Sequence, residues 1–171
     1  GLVTPTSVVL APFPKELSGT AEEASVVRSG TKNAVSFVGG TATEAQFRKA
    51  LAGSRVVHVA SHAVLDQVNP MFSHIEFALP ARRSTVDDGS LEVHELLGMP
   101  VHSQLVYLSG CETGVGAAWS TAYRRSQDYA TLSQAMLFAG AQNVVATLWR
   151  IDDIGASVFA RNLFRRPSDR G

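Results

Sequence analysis

Cys111 is the single cysteine of the chain, and His62 lies forty-nine positions before it. A thiol and an imidazole that share a cleft make a nucleophile and its base. A free thiol, with an ordinary pKa of about 8.5, is only a few per cent thiolate at neutral pH, so an imidazole that takes its proton raises the reactive fraction. The chemistry such a pair supports is acyl transfer through a thioester. A lone cysteine also excludes an internal disulfide, a four-cysteine zinc site and a dithiol redox motif, and it fits a reducing, cytoplasmic compartment. The plain alternative is an inert core residue. Gly110 and Gly114, on either side of Cys-Glu-Thr, mark a turn instead.

Two such residues must be brought together by the elements that precede them. Apolar stretches of strand length alternate with amphipathic ones of helix length, the pattern of an α/β domain with a parallel sheet and helices on both faces. Strands are expected at Ser7–Ala11, Ala34–Val38, Arg55–Ala60, Leu105–Leu108 and Val144–Trp149. His62 and Cys111 each follow a strand, so both reach the crevice beyond the carboxyl ends if those strands are neighbours. One helix is expected from Thr20, with Thr20-x-x-Glu23 as a capping box and Gly30 as its stop. Thr41-x-x-Glu44 reads as a second capping box, with Ala45, Phe47, Ala50 and Leu51 as the apolar stripe before Gly53. Asp128–Ala139 carries helical spacing and stops at Gly140, and Asp152 or Asp153 caps a last helix through Ile154, Val158, Phe159 and Leu163. Between them lie a short strand over Ile75–Leu79, a turn at Asp87-Asp88-Gly89 and a short helix over Leu91–Leu97.

At 171 residues, 45% apolar and 18% charged, the chain reads as one domain over residues 1–171, cut from a longer protein. Fifteen basic residues balance fifteen acidic ones, so no global field attracts a polyanion and nucleic acid is not expected as a partner. Arg82-Arg83, Arg124-Arg125 and Arg165-Arg166 read as solvated surface. No apolar run approaches the roughly 18–20 residues that span a bilayer, so no membrane is expected. Gly39-Gly40-Thr41 lacks the Gly-Lys-Ser/Thr that completes a phosphate loop, and no cofactor is expected. His58 and His62 are four apart, which on a strand of ~3.3 Å per residue separates them by ~13 Å, too far for a metal pair. His58 is expected as a half-buried strand residue. His74, His94 and His102 have no companion carboxylate or cysteine pattern. Asp66 either orients His62 or sits solvated in an Asx turn.

Five segments together carry a resemblance. Val57-His58-Val59-Ala60-Ser61-His62-Ala63, Asn69-Pro70-Met71-Phe72-Ser73, Asp88-Gly89-Ser90-Leu91, the run from Leu105 through Ser109-Gly110-Cys111-Glu112-Thr113-Gly114, and the run from Ala139 to Asp153 follow in order over nearly the whole chain. They resemble the CHAT domain family. The resemblance implies a caspase-like three-layer sandwich and a cysteine endopeptidase of the caspase, gingipain and separase clan, with Cys111 as nucleophile and His62 as general base. Caspases also place the histidine about 50 residues upstream of the cysteine. In this clan the oxyanion is held by the backbone N–H groups of the cysteine and of the residue after the histidine, here Cys111 and Ala63. Most members carry glycine at the position of Ala63, and alanine there is strained if the backbone needs a positive φ.

Leu148-Trp149-Arg150-Ile151-Asp152-Asp153 is similar to a separase segment whose acidic residues help bind an arginine before the scissile bond. Asp152 and Asp153 are thus the substrate-binding candidates, while Arg150, replacing the segment's first acid, weakens the case for a basic residue there. The resemblance further implies a protein or peptide substrate and regulation by a flanking tetratricopeptide-repeat region or a partner. Residues 115–127, poor in apolar spacing, are the expected mobile element. Two other readings use the same residues: a latent or inactive caspase-like module that binds a peptide or serves as a scaffold, and thioester chemistry on a non-peptide substrate.

Overall fold

The computed structural model describes residues 5–17, 19–31, 33–66, 68–109, 132–146 and 153–164. In chain order the strands are β1 (Ser7–Ala11), β2 (Ala34–Val38), β3 (Val56–Ala60), β4 (Ala63–Val64), β5 (His74–Glu76), β6 (Ser90–Glu92), β7 (Leu105–Ser109) and β8 (Val144–Ala146). The helices are α1 (Gly19–Gly30), α2 (Glu44–Gly53), α3 (Val93–Leu96), α4 (132–138) and α5 (Asp153–Phe164).

Five strands form a parallel sheet in the order β2-β1-β3-β7-β8, and β4, β5 and β6 form a small antiparallel sheet beside it. The central strands are buried on both faces because helices cover both, and most of their side chains are apolar. Alternation along the strands sorts the side chains. Val8 and Leu10 of β1, Val57 and Val59 of β3 and Val106 of β7 share one core with Phe47 and Leu51 of α2 and with Leu132 and Met136 of α4. Val9 points the other way, onto Ala24 and Val27 of α1 and Phe164 of α5. This is the caspase-like α/β architecture, a central sheet between two helical layers.

The chain leaves β1 toward β2 on one side and leaves β3 toward β7 on the other. The carboxyl ends of β1 and β3 therefore flank the switch point where open α/β sheets form their crevice.

Local differences from the sequence pattern have physical causes. Thr20 lies inside α1 with its hydroxyl donating to the Leu17 carbonyl, and Glu23 is buried against the sheet, so the two form no capping box. Helix α2 is capped by Thr43, whose hydroxyl accepts from the Gln46 N–H, while Thr41 closes the turn at 39–41. Glu44 is buried rather than capping. Its Oε1 accepts from Arg48 Nε at 2.7 Å, and its Oε2 accepts from the N–H groups of Asp88 and Gly89, each at 3.2 Å. Burial pushes the Glu44 pKa up, against the opposing pull of Arg48 and of the Gly89 amide.

The stretch read as a helix over Leu91–Leu97 divides into β6 and the single turn of α3, and the strand read over Ile75–Leu79 is β5, shifted toward its amino end. Strands of two or three residues are too short for alternation to mark. Gly140, at φ +119, ends α4 where a Cβ would strike the Val101 carbonyl. Residues 115–131 and 147–152 and the pairs Arg124-Arg125 and Arg165-Arg166 lie outside the described residues, while Arg82 and Arg83 are exposed. Among the described residues no helix is long and apolar enough to cross a membrane.

Candidate active site

Strands β3 and β7 are direct neighbours, paired in parallel from Val56 with Leu105 to Ala60 with Ser109. The register offset is forty-nine residues throughout, the same interval that separates His62 from Cys111. Both residues thus lie two positions beyond the last pair of one ladder. Cys111 itself is outside the described residues, as is Asp152.

His62 is held through its neighbours. The Ser61 N–H donates to the Ser109 carbonyl at 3.0 Å, and the Ser61 hydroxyl donates to the Glu76 carbonyl, so this residue ties β3 both to β7 and to the small sheet. The Glu76 N–H donates in turn to the His62 carbonyl at 3.0 Å. The imidazole packs against the Phe13 ring with centroids 5.1 Å apart, and its Nε2 stands 3.2 Å from Glu16 Oε2. Phe13 and Glu16 come from the loop after β1, so this pair spans the switch point. The His62 side chain keeps 14% of its surface exposed and that of Glu16 keeps 68%. With Nε2 toward a carboxylate, Nδ1 is the nitrogen left to exchange a proton with another group.

His62 lines a cleft whose apolar wall is Val59, Ile75, Leu108 and Leu132 and whose lining is completed by Ser61, Ala63 and Ser109. Ala63 opens β4, an edge strand, opposite Ile75. Because Glu76 donates to His62, the Ala63–Ile75 position is a non-hydrogen-bonded one, and the Ala63 N–H is directed away from β5. Among the described non-glycine residues only Asn33 has a positive φ. Alanine at 63 is therefore unstrained.

Asp66 forms the Asx turn: its Oδ1 accepts from the N–H groups of Asn69 and Val68, each at 2.8 Å, and these bonds hold its carboxyl below the usual range. The carboxylate beside His62 is Glu16 instead, which sequence reasoning missed; its place in the loop after the strand next to β3 was the available signal. His58 is fully buried, not half-buried, because α1 and α5 cover its face of β3. Its Nε2 stands 3.0 Å from Oε2 of Glu23, and Ser109 Oγ donates to Glu23 Oε1 at 3.2 Å. His94 has a carboxylate companion after all, Glu92 at 3.0 Å, on the surface. No group of three metal-ligating side chains occurs among the described residues. Asp153 opens α5.

The family model for the CHAT domain matches residues 7–169. No curated protein matches the chain.

Proposed function

Because the chain belongs to the CHAT domain family, which is caspase-like and peptidase-related, we propose that it is a cysteine endopeptidase acting through Cys111 and His62. The observation that carries this reading is the register of β3 with β7, whose offset equals the spacing of the two residues. Chain connectivity alone keeps Cys111 within two residues of Ser109, and Ser109 is hydrogen-bonded to the residue before His62.

His62 accepts the Cys111 proton, and the thiolate attacks the carbonyl carbon of a peptide bond. The oxyanion forms beside the backbone N–H groups of Cys111 and Ala63; each such donor is worth roughly 10²–10³ in turnover in acyl-transfer enzymes. Ala63 suits this role through its unpaired edge position and its ordinary φ. His62 then returns its proton to the leaving amine, leaving a thioester. Water, deprotonated by the same imidazole, cleaves the thioester, releases the acid and restores the thiol. Glu16 fixes the ring so that Nδ1 is the working nitrogen.

Substrates are proteins or peptides held in an extended form along the cleft. Asp153, which opens α5, and Asp152 before it in the sequence are the candidate specificity residues; their charge favours a basic residue before the scissile bond, and the Arg150 cation opposes it. Control by a flanking tetratricopeptide-repeat region or a partner, in the cytoplasm, belongs to the same proposal.

The test is cleavage of a mixed peptide library, with products identified by mass. The wild type is expected to cut, and Cys111→Ala and His62→Ala are expected to lose cutting while keeping their circular dichroism. Cleavage that persists in Cys111→Ala overturns the proposal.

A further inference from the structure

Behind the cleft, on the face of the sheet covered by α1 and α5, three polar side chains are packed out of water. Glu23 of α1 is 2% exposed, His58 of β3 is 0% and Ser109 of β7 is 6%. They touch in sequence: His58 Nε2 stands 3.0 Å from Glu23 Oε2, and Glu23 Oε1 accepts from the Ser109 hydroxyl at 3.2 Å. The His58–Glu23 approach is close but poorly aligned, so neither atom makes a directed hydrogen bond there. His58 is further fixed by stacking on Tyr107, with ring centroids 4.5 Å apart, and its Nδ1 lies 3.3 Å from the Tyr107 carbonyl.

Such a cluster has no obvious value for stability, since an apolar set of the same volume is often as stable or more so. What polar contacts do supply is a unique position. The position fixed here is that of Ser109. Its hydroxyl is tied to α1 through Glu23, and its carbonyl is tied to β3 through the Ser61 N–H. Ser109 is thus the junction between the helix behind the sheet, the residue before His62, and the chain that reaches Cys111 two residues later.

We propose that Glu23, packed against His58, is a positioning residue that acts through the Ser109 hydroxyl to aim the chain leaving β7 and so place the Cys111 thiol. This rests on Cys111 and His62 being the reacting pair. A clamp at Ser109 governs how often the thiol stands in attacking geometry and leaves substrate affinity alone; misplacement of about 1 Å can cost 10²-fold in rate.

The test uses Ser109→Ala, Ser109→Thr and Glu23→Gln. Two quantities are measured in each: the inactivation of Cys111 by a peptidyl chloromethyl ketone, split into a maximal rate and an affinity, and the hydrogen exchange of the Ser61 amide. Ser109→Ala is expected to lower the maximal rate about tenfold or more with affinity unchanged, and to speed Ser61 exchange while Val57 and Val59 stay protected. Glu23→Gln is expected to act in the same direction, and Ser109→Thr to recover most of the rate. A merely structural role lowers the melting temperature and leaves the rate per folded molecule alone. Unchanged Ser61 exchange, or an unchanged maximal rate in Ser109→Ala, overturns the proposal. His62→Ala labelling at the wild-type rate overturns the dyad instead, and the exchange arm still decides the clamp.

Discussion

The N–H of Ser61 donates to the carbonyl of Ser109 across 3.0 Å, one residue before His62 and two before Cys111. The hydrogen bond extends the β3–β7 ladder past its last strand pair, Ala60 with Ser109. A slip of one residue in that ladder turns every side chain of the strand to the opposite face, so the buried polar set at His58 and Ser109 and the apolar set at Val57, Val59 and Val106 together fix the register. The forty-nine-residue offset of β3 against β7 is thus fixed by strand packing.

Among the described residues of the site Glu16 is the most exposed. An exposed ion pair contributes little, about 0.2–1 kcal/mol, because water and salt screen it. Glu16→Ala is accordingly expected to lower turnover by less than about tenfold and to leave the melting temperature unchanged. The gap to the wild type should narrow in 1 M salt. A loss of several hundredfold would mean that Glu16 does more than orient the ring.

Alanine at position 63 needs no glycine-like backbone. Ala63→Gly is therefore not expected to quicken labelling of Cys111, and it should cost about 0.5–1 kcal/mol through the extra freedom of the unfolded chain. Urea unfolding and labelling rates measure both. A marked gain in rate would show that the alanine had been hindering the amide.

Glu44 sets a pH dependence of stability. Burial raises its folded pKa above the ordinary 4.5, so its contribution to stability is complete below pH 4.5 and declines as pH rises through the raised value. Glu44→Gln lacks this decline. The variant's stability relative to the wild type is expected to increase from pH 4 to pH 7, read from urea midpoints at each. An equal difference at both values would contradict the raised pKa.

Much of this arrangement is legible in the sequence, and the rest is not for definite reasons. Ser7–Ala11 and Ala34–Val38 carry the apolar, β-branched signature of strands and match the structure residue for residue. Phe47, Ala50 and Leu51 mark the buried face of α2 by their spacing. Glu23 and Glu44 mislead because a threonine three residues earlier imitates a capping box, whereas both carboxylates find partners far along the chain: Ser109 for one, and the amides of Asp88 and Gly89 for the other. Local pattern cannot report such contacts. The pairing of Glu16 with His62 is hidden in the same way, since it depends on β1 lying beside β3. The family match over residues 7–169 agrees with the resemblance carried by the five segments.

The most direct measurement is the intact mass of the protein after exposure to a peptidyl chloromethyl ketone with a basic residue at the reactive end, followed by peptide mapping. One adduct per chain is expected, at Cys111, forming about 10²–10⁴-fold more slowly in His62→Ala than in the wild type. An adduct that forms equally fast without His62, or a folded wild type that gains none at Cys111, would contradict that expectation.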